Sequence, residues 1–503
     1  MKPIKARDCL PFDSRKDWKE SDKRKADEAL RKLCEYFENT NEVSEDDDDK
    51  IVSLQTLRFR YDNDEQATVQ TRWWAGRYIG LAKISVYKGE TPFQAEISIL
   101  PRFGKDFLLS IIEDVYNIKT GNHDGEFQKT DEWFSSLLNL LRRRIWVDKC
   151  AKANRYGLPR KNVKKEYQGI ALRGALDIRR TIMPWLTQKE VCTNIYEKTF
   201  DNNICRIVYE AHRILSKNVI ENKVGKRTNQ GRQSSNSILG FSMPPTVQDT
   251  INALNSQYKG TSFNLSEVEY KRIRYNSIYV SWKPLVDFSW DVIRNTQLGY
   301  KSSDNLTQCI FIDMAEIWEA FLRKKLGEGF ADDGWRVLSV EECHYRIYKG
   351  KFYSRDIIPD IILTRENGQG ENEYMVFDAK YKRMRANASK GYDVDRSDFF
   401  QIHTYINYVE HQLGHVVIGG LLYPLTKKAQ DAEGNEVEVY VDDKRFHSEY
   451  LYGTIGRNEA VKTPFIIDGV YCPEEEKKYD VVKKDMGANV ASMIRRIKNA
   501  ANL

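Results

Sequence analysis

The sequence predicts a multidomain protein of mixed α+β and α/β class: a β-rich N-terminal module, a helical middle region and a C-terminal mixed sheet flanked by helices. Three observations predict it. The 503 residues exceed what one simple core organises, which implies two or three domains. The texture alternates with period two from residue 51 to about 104, takes helical spacing through the middle, and mixes both patterns beyond residue 305. A composition of 41% hydrophobic, 12% aromatic and 30% charged residues gives a soluble globular chain ample core material.

Net charge is +6, a mild excess that is compatible with a nucleic-acid partner without implying one, because clustering on one face decides. The eight cysteines are scattered, with no CxxC pair and none at zinc-ligand spacing from a histidine, so they read as reduced thiols. No apolar run approaches the ~20 residues of a membrane span. The start, MKPIKARDCLPFDSRKDWKE, is not a signal peptide, and the expected location is cytoplasmic.

Residues 1–50 read as an N-terminal extension, with a charged helix from Ser21 to Glu38 and the acidic run EDDDDK as a solvated linker. Residues 51–165 open with strands in VSLQTLRFRY, RWWAGRYIGLAKISVY and FQAEISILPRF, punctuated by Gly76, Gly80 and Gly89. Of the adjacent Trp73 and Trp74, alternation puts one in the core and leaves one half-exposed. Helices follow in DFLLSIIEDVYNI and DEWFSSLLNLLRRRIWVDKCAKA. Residues 166–304 form a middle domain, with helices in FDNNICRIVYEAHRILSKNVI and from Val268 through Trp290, the latter broken at Pro284. Between them, residues 222–246 make a Gly/Ser/Asn-rich insertion carrying Lys223, Lys226, Arg227 and Arg232, read as a solvated loop. Residues 305–503 begin with LTQCIFIDMAEIWEAFLRKKL as an amphipathic helix with Ile317, Phe321 and Leu322 on its apolar side. Strands GWRVLSV, HYRIYKG, DIIPDIILT and EYMVFDAKYK, the helix SDFFQIHTYINYVEHQ and the strand HVVIGGLLYP complete a central mixed sheet.

The chemistry concentrates in that last domain. Asp360 follows Pro359 at the start of one apolar strand, Asp378 closes the next, and Lys380 stands two residues on. Alternation projects Asp378 and Lys380 from one face, and the turn RENGQGEN folds Asp360 back beside them. Paired carboxylates are hard ligands for Mg²⁺, with Mn²⁺ as a substitute. Such a metal polarises a phosphoryl oxygen and activates water, and a neighbouring lysine stabilises charge on the phosphate. The pattern is that of a PD-(D/E)XK nuclease. Cores of this type often place an acid on the preceding helix, here Glu319. Gln401 and Tyr405 share a face of the following helix at i and i+4. Lys382, Arg383 and Arg385, just past the strand, are candidate phosphate contacts, and Tyr405 is grouped with them as support. His403 reads as an ordinary helix-face residue.

The segment IPDIILTRENGQGENEYMVFDAKYKRM, followed by RSDFFQIHTYINYV and GGLLYP, resembles the catalytic region of the McrC family, the nuclease subunits of McrBC-type modification-dependent restriction systems. IDMAEIWEAFLRKKL, YGLPRKNVKKEYQGIALRGALDIRRTI and WWAGRYIGLAKISVYKGETPFQAEISILPRFG extend the ordered resemblance over residues 70–424. The extension before Lys50, the insertion near residues 223–246 and the tail from Thr426 lie outside it. The resemblance implies a Mg²⁺-dependent endonuclease acting on double-stranded DNA. Its partner would be a McrB-like AAA+ GTPase, a hexameric motor ring that receives the N-terminal module. Arg102, in ILPRFG, would be a contact to that ring. No GxxxxGK[ST] is present, so the chain itself is expected to bind no nucleotide through a P-loop. The competing expectation is a non-cleaving adaptor that activates a partner NTPase and holds DNA on a nuclease-like fold.

Overall fold

The computed structural model describes residues 3–12, 18–38, 50–59, 68–86, 93–116, 133–224, 243–297, 306–340, 342–350, 354–382, 385–387, 391–393, 395–426, 428–430, 436–438, 447–453, 461–473 and 479–503. The chain divides into two compact units, residues 1–129 with 311–503, and residues 130–310. The acidic run before Lys50 and the basic side chains of the 222–246 insertion lie outside the described residues. No disulfide joins the described cysteines, and no described helix is long and apolar enough to cross a membrane.

In the first unit, a four-stranded sheet runs in the order Ile4–Arg7, Phe93–Leu100, Tyr78–Val86, Leu306–Asp313. Along Phe93–Leu100, Ala95, Ile97 and Ile99 are buried while Gln94 and Glu96 face out, the alternation of a sheet with one face on a core. Ile4–Arg7 lies parallel to it, Ile4 opposite Ile97 and Arg7 opposite Leu100. Helix Glu20–Glu38 buries Ala26, Ala29, Leu30 and Leu33 on one face. The amino-terminal segment is therefore woven into the core, not appended to it. Its strand is only four residues long, too short to show periodicity. Trp73 is buried and Trp74 half-buried, as alternation requires.

The stretch expected as one helix from Leu306 divides at Asp313 into strand Leu306–Asp313 and helix Met314–Phe330. The β-branched and aromatic run TQCIFI favours extended backbone. Asp313 then caps the helix, accepting from the Ala315 N–H at 2.8 Å. Arg77 Nε donates to the same carboxylate at 3.1 Å.

The second sheet of this unit has six strands, in the order Arg336–Val337, Ile361–Glu366, Asn372–Ala379, His415–Leu425, Val461–Tyr471, His447–Gly453. Asn372–Ala379, His415–Leu425 and Val461–Tyr471 are mutually parallel, and the outer pairings are antiparallel. Helix Arg396–Gln412 buries Ile402, Ile406 and Val409 against Ile362, Val376 and Leu421. Helices Met314–Phe330 and Tyr479–Ala501 also pack on this sheet and on each other. Arg496 clamps the last helix down, forking onto Asp468 at 2.7 and 2.8 Å. The tail beyond Thr426 thus supplies two strands of the central sheet and a helix packed on it.

In the second unit, helices Trp133–Ala153, Asn203–Val224, Pro245–Tyr258 and Lys283–Gln297 enclose a core around Trp146, Trp282 and Val286. Trp146 Nε1 donates to Ser289 at 3.1 Å. The helix expected from Val268 through Trp290 is two: Glu267–Lys271, with a Ser266/Glu269 capping box, and Lys283–Gln297. Pro284 sits in the first turn of the latter, where its missing N–H costs nothing, so it starts a helix and does not break one. Strands Lys161–Gly169, Val191–Thr199 and Ala175–Leu176 form a small antiparallel sheet, and helix Ile178–Gln188 beside it has no buried residue.

Candidate active site

The site begins with a hairpin. Ile361–Thr364 are fully buried and β-favouring. The chain then turns at Asn367–Glu371, where the Asn367 side chain accepts from the Gln369 and Glu371 N–H groups and Gly370 takes φ +82°. Ile361 pairs with Phe377 in the antiparallel ladder, so the next position out sets Asp360 opposite Asp378. Asp378 is also paired, in parallel, with Leu421 of the strand containing GGLLYP.

Asp360 is fixed at both ends. Its Oδ2 accepts from the Ala379 N–H at 2.9 Å, and its carbonyl accepts from Arg323 of helix Met314–Phe330. Asp378 is 0% exposed, and the Lys380 ammonium lies 2.7 Å from its Oδ2 as a buried ion pair. Lys380 Nζ donates to Gln401 Oε1 at 2.9 Å, and Gln401 Nε2 donates to the Tyr405 hydroxyl at 2.8 Å. Five of the residues singled out in the sequence therefore converge: Asp360, Asp378, Lys380, Gln401 and Tyr405.

Glu319 stands near enough to raise the Asp360 pKa, but among the described residues no three His, Cys, Asp or Glu side chains gather tightly enough to hold a metal unaided. The site is a carboxylate pair with a third acid nearby. Burial first, then the facing charges of Asp378 and Glu319, push Asp360 well above the ordinary carboxylate range. Burial alone would lower the Lys380 ammonium, yet Asp378, Asp398 and Asp360 together raise it, so it stays charged at neutral pH.

Other expectations change. Lys382 is only 15% exposed and is paired with Asp398 at 2.9 Å and with Asp395 at 3.5 Å. Tyr405 is buried and holds Gln401, a supporting place, not a DNA-facing one. The Arg102 side chain is 6% exposed and paired with Asp8, facing the interior and not a partner. Arg383 lies outside the described residues, and of Arg385 only the backbone, opposite Asp393, is described. His403 is a half-buried helix-face residue.

Asp398 was missed. Buried in the first turn of helix Arg396–Gln412, it lies 3.6 Å from Lys380, 2.9 Å from Lys382, and accepts from the Tyr423 hydroxyl at 3.3 Å. The signal was present in SDFFQ, since an acid three residues before Gln401 shares its helix face.

A raised Asp360 has a consequence for stability. The folded chain holds that proton more tightly than the unfolded one, so the stability it contributes is present in acid and is lost as pH rises from the ordinary value near ~4 through the raised folded value. Asp360→Asn removes that loss. In EDTA at pH 8 the variant is expected to be about 1–2 kcal/mol more stable than the parent, the gap closing toward pH 4. Urea midpoints across pH check it, and equal midpoints at pH 8 would contradict it.

Two strand-end carboxylates and a charged lysine, set on a mixed sheet between helices, define the class: a mixed α/β protein with an acid-pair centre. The chain belongs to the family of McrBC 5-methylcytosine restriction system components, whose model matches residues 75–424. Among solved structures, a chain of the Thermococcus gammatolerans McrB AAA+ hexamers with bound McrC, refined as a half-complex of a tetradecameric assembly, is 14% identical. The match covers 99% of each chain with a TM-score of 0.40. A chain from the cryo-EM structure of the McrBC complex of the same organism is 16% identical, over 65% of this chain and 88% of that one, with a TM-score of 0.31. No curated protein matches.

Proposed function

We propose that this chain is the Mg²⁺-dependent nuclease subunit of a McrBC-type restriction complex, cutting double-stranded DNA at a PD-(D/E)XK site when an AAA+ GTPase motor activates it. One observation carries the nuclease half: the fully buried Asp378, paired with the Lys380 ammonium at 2.7 Å, faces a second buried carboxylate, Asp360, whose proton affinity is raised by burial and by that neighbour. Two buried carboxylates set against each other repel, a cost that a further cation between them relieves. Mg²⁺ suits the pair because it takes one or two carboxylates and completes its octahedron with waters and phosphate oxygens, so a closed three-acid cage is not required.

Asp360 and Asp378 would hold the ion, with Glu319 within reach of its waters. Bound there, it supplies Lewis acidity toward the phosphoryl oxygen and makes water a stronger nucleophile. Lys380 remains an ammonium and therefore offsets phosphate charge and orients the attacking water by donating; it does not remove a proton. Gln401 fixes that ammonium through its carbonyl, and Tyr405 fixes the amide in turn. The test is cutting of duplex DNA by the chain with its AAA+ partner, nucleotide and Mg²⁺. Cutting that persists in EDTA, or no cutting with every component present, overturns the reading.

The motor half rests on family membership and on a surface. Ile178, Ile182, Met183, Trp185 and Leu186 are 48–71% exposed on one helix, an apolar patch that a lone soluble chain rarely shows. The proposal thus moves the docking surface from residues 51–165 to helix Ile178–Gln188 and the small sheet beside it. Trp185→Ala with Leu186→Ser should weaken binding to the AAA+ partner by at least about 30-fold, since buried aromatic anchors are worth roughly 2 kcal/mol or more. Folding should be spared, because both side chains face solvent. Unchanged affinity by titration calorimetry would place the docking surface elsewhere.

A further inference from the structure

Behind the catalytic strand, three polar side chains from distant parts of the sequence meet in the core. Asp8, just past the first strand, is 0% exposed, Tyr381 is 3% exposed, and the Arg102 side chain 6%. Asp8 Oδ1 accepts from the Arg102 backbone N–H at 2.5 Å, and Arg102 Nε lies 3.7 Å from Asp8 Oδ2. The Arg102 guanidinium carbon sits 4.6 Å from the centre of the Tyr381 ring and 4.7 Å from that of Phe103. Cys9 Sγ donates to the Tyr381 carbonyl at 3.7 Å. On the side of the central sheet, Trp318, the neighbour of Glu319, lies 6.3 Å from the same ring.

The arrangement is expensive as mere packing. Arg102 Nε and Nη2 are buried without a hydrogen bond, the Asp8 carboxylate and the Tyr381 hydroxyl are buried against one another in the same core, and a well-packed apolar trio would fill the space at less cost in desolvation. Its position gives it a use. Tyr381 adjoins Lys380, and the backbone just before it carries two bonds of the site, Ala379 N–H to Asp360 and Lys380 N–H to the Leu422 carbonyl. A guanidinium plane on a ring is directional, so it fixes how Tyr381 sits and hence where the lysine stem begins.

We infer that Asp8 and Arg102 are positioning residues for DNA cleavage, clamping Tyr381 from the N-terminal sheet and thereby setting the Lys380 ammonium against the carboxylate pair. The inference rests on the nuclease reading above for the reaction it serves. Displacements near 1 Å in a catalytic group cost about 100-fold in rate, which sets the scale of the effect.

The test uses the full chain with its AAA+ partner and duplex DNA, comparing Arg102→Met, Arg102→Lys and Asp8→Asn with the parent. Lysine keeps the charge and loses the plane, and asparagine keeps the shape and loses the charge, so at least one variant should fold. The expected result is a kcat for cutting about 10–100-fold lower, an unchanged KM for DNA, and faster amide hydrogen exchange at residues 379–381. A merely structural loss would speed exchange across the whole unit instead. Exchange at 379–381 equal to the parent in all folded variants overturns the inference, and so does faster exchange there with an unchanged kcat. A parent that never cuts sinks the nuclease reading separately, and with it the positioning role, while the exchange comparison still shows whether the clamp exists.

Discussion

Asp378→Asn is expected to lower metal-dependent DNA cutting at least about 1,000-fold, roughly 4 kcal/mol of transition-state stabilisation. The substitution is nearly isosteric at a position that is 0% exposed, so packing against the neighbouring strands is preserved. The asparagine amide keeps an oxygen that can accept from the Lys380 ammonium, 2.7 Å from Asp378 Oδ2, so that donor is not orphaned by the change. On the proposed nuclease reading, what disappears is one of the two carboxylates that would hold Mg²⁺, together with the charge that helps keep Lys380 protonated. The variant should therefore fold, bind its partner and bind DNA, yet fail to cut. Nicking of plasmid DNA with Mg²⁺ titrated over three decades checks this. Cutting within about tenfold of the parent would remove Asp378 from the catalytic role, because that residual difference is only ~1.4 kcal/mol.

How much of this site was legible in sequence follows from where its information resides. Asp360, Asp378 and Lys380 are joined by one hairpin, and a short antiparallel register is a local property that alternation and a Gly-rich turn specify. Gln401 and Tyr405 sit one helical turn apart and were legible for the same reason. Asp398 shares a helix face with Gln401, the one local signal, but its importance lies in where the two lysines beyond strand Asn372–Ala379 end, a tertiary fact. Arg102 was legible as a notable residue but not in its orientation. Its counter-ion, Asp8, is 94 positions away, and nothing local marks an arginine as buried. The strand Lys161–Gly169 was invisible for the opposite reason: with mostly exposed, polar residues it has no apolar face to alternate. The tail failed in a third way. Val461–Tyr471 belongs to the central sheet through pairing with His415–Leu425, and the family resemblance stops short of it.

Asp398→Ala is expected to damage the site without touching the carboxylate pair. The side chain sits in the first turn of its helix, where the backbone dipole favours a negative charge. It answers two lysines that are each 15% exposed, at 2.9 Å for Lys382 and 3.6 Å for Lys380. Removing one member of a buried ionic cluster leaves the rest uncompensated, a cost of about 3–5 kcal/mol. Lys382 keeps Asp395, which is 48% exposed and answers it weakly at 3.5 Å. Lys380 keeps Asp378 and Gln401 but loses the anchor that draws it toward helix Arg396–Gln412. Two measurements separate this from loss of a metal ligand. Urea unfolding should show the stability cost in the alanine variant, and Asp398→Asn, which keeps the shape and an acceptor for Tyr423 but loses the charge the two lysines face, should recover only part of it. Cutting by Asp398→Asn should be about 10–100-fold slower than the parent, yet half-maximal at the same Mg²⁺ concentration, whereas Asp360 and Asp378 variants should shift or lose that dependence. A shifted Mg²⁺ midpoint in Asp398→Asn would make Asp398 part of the metal site. Full activity in the alanine variant would mean that Lys380 is held by Asp378 and Gln401 alone.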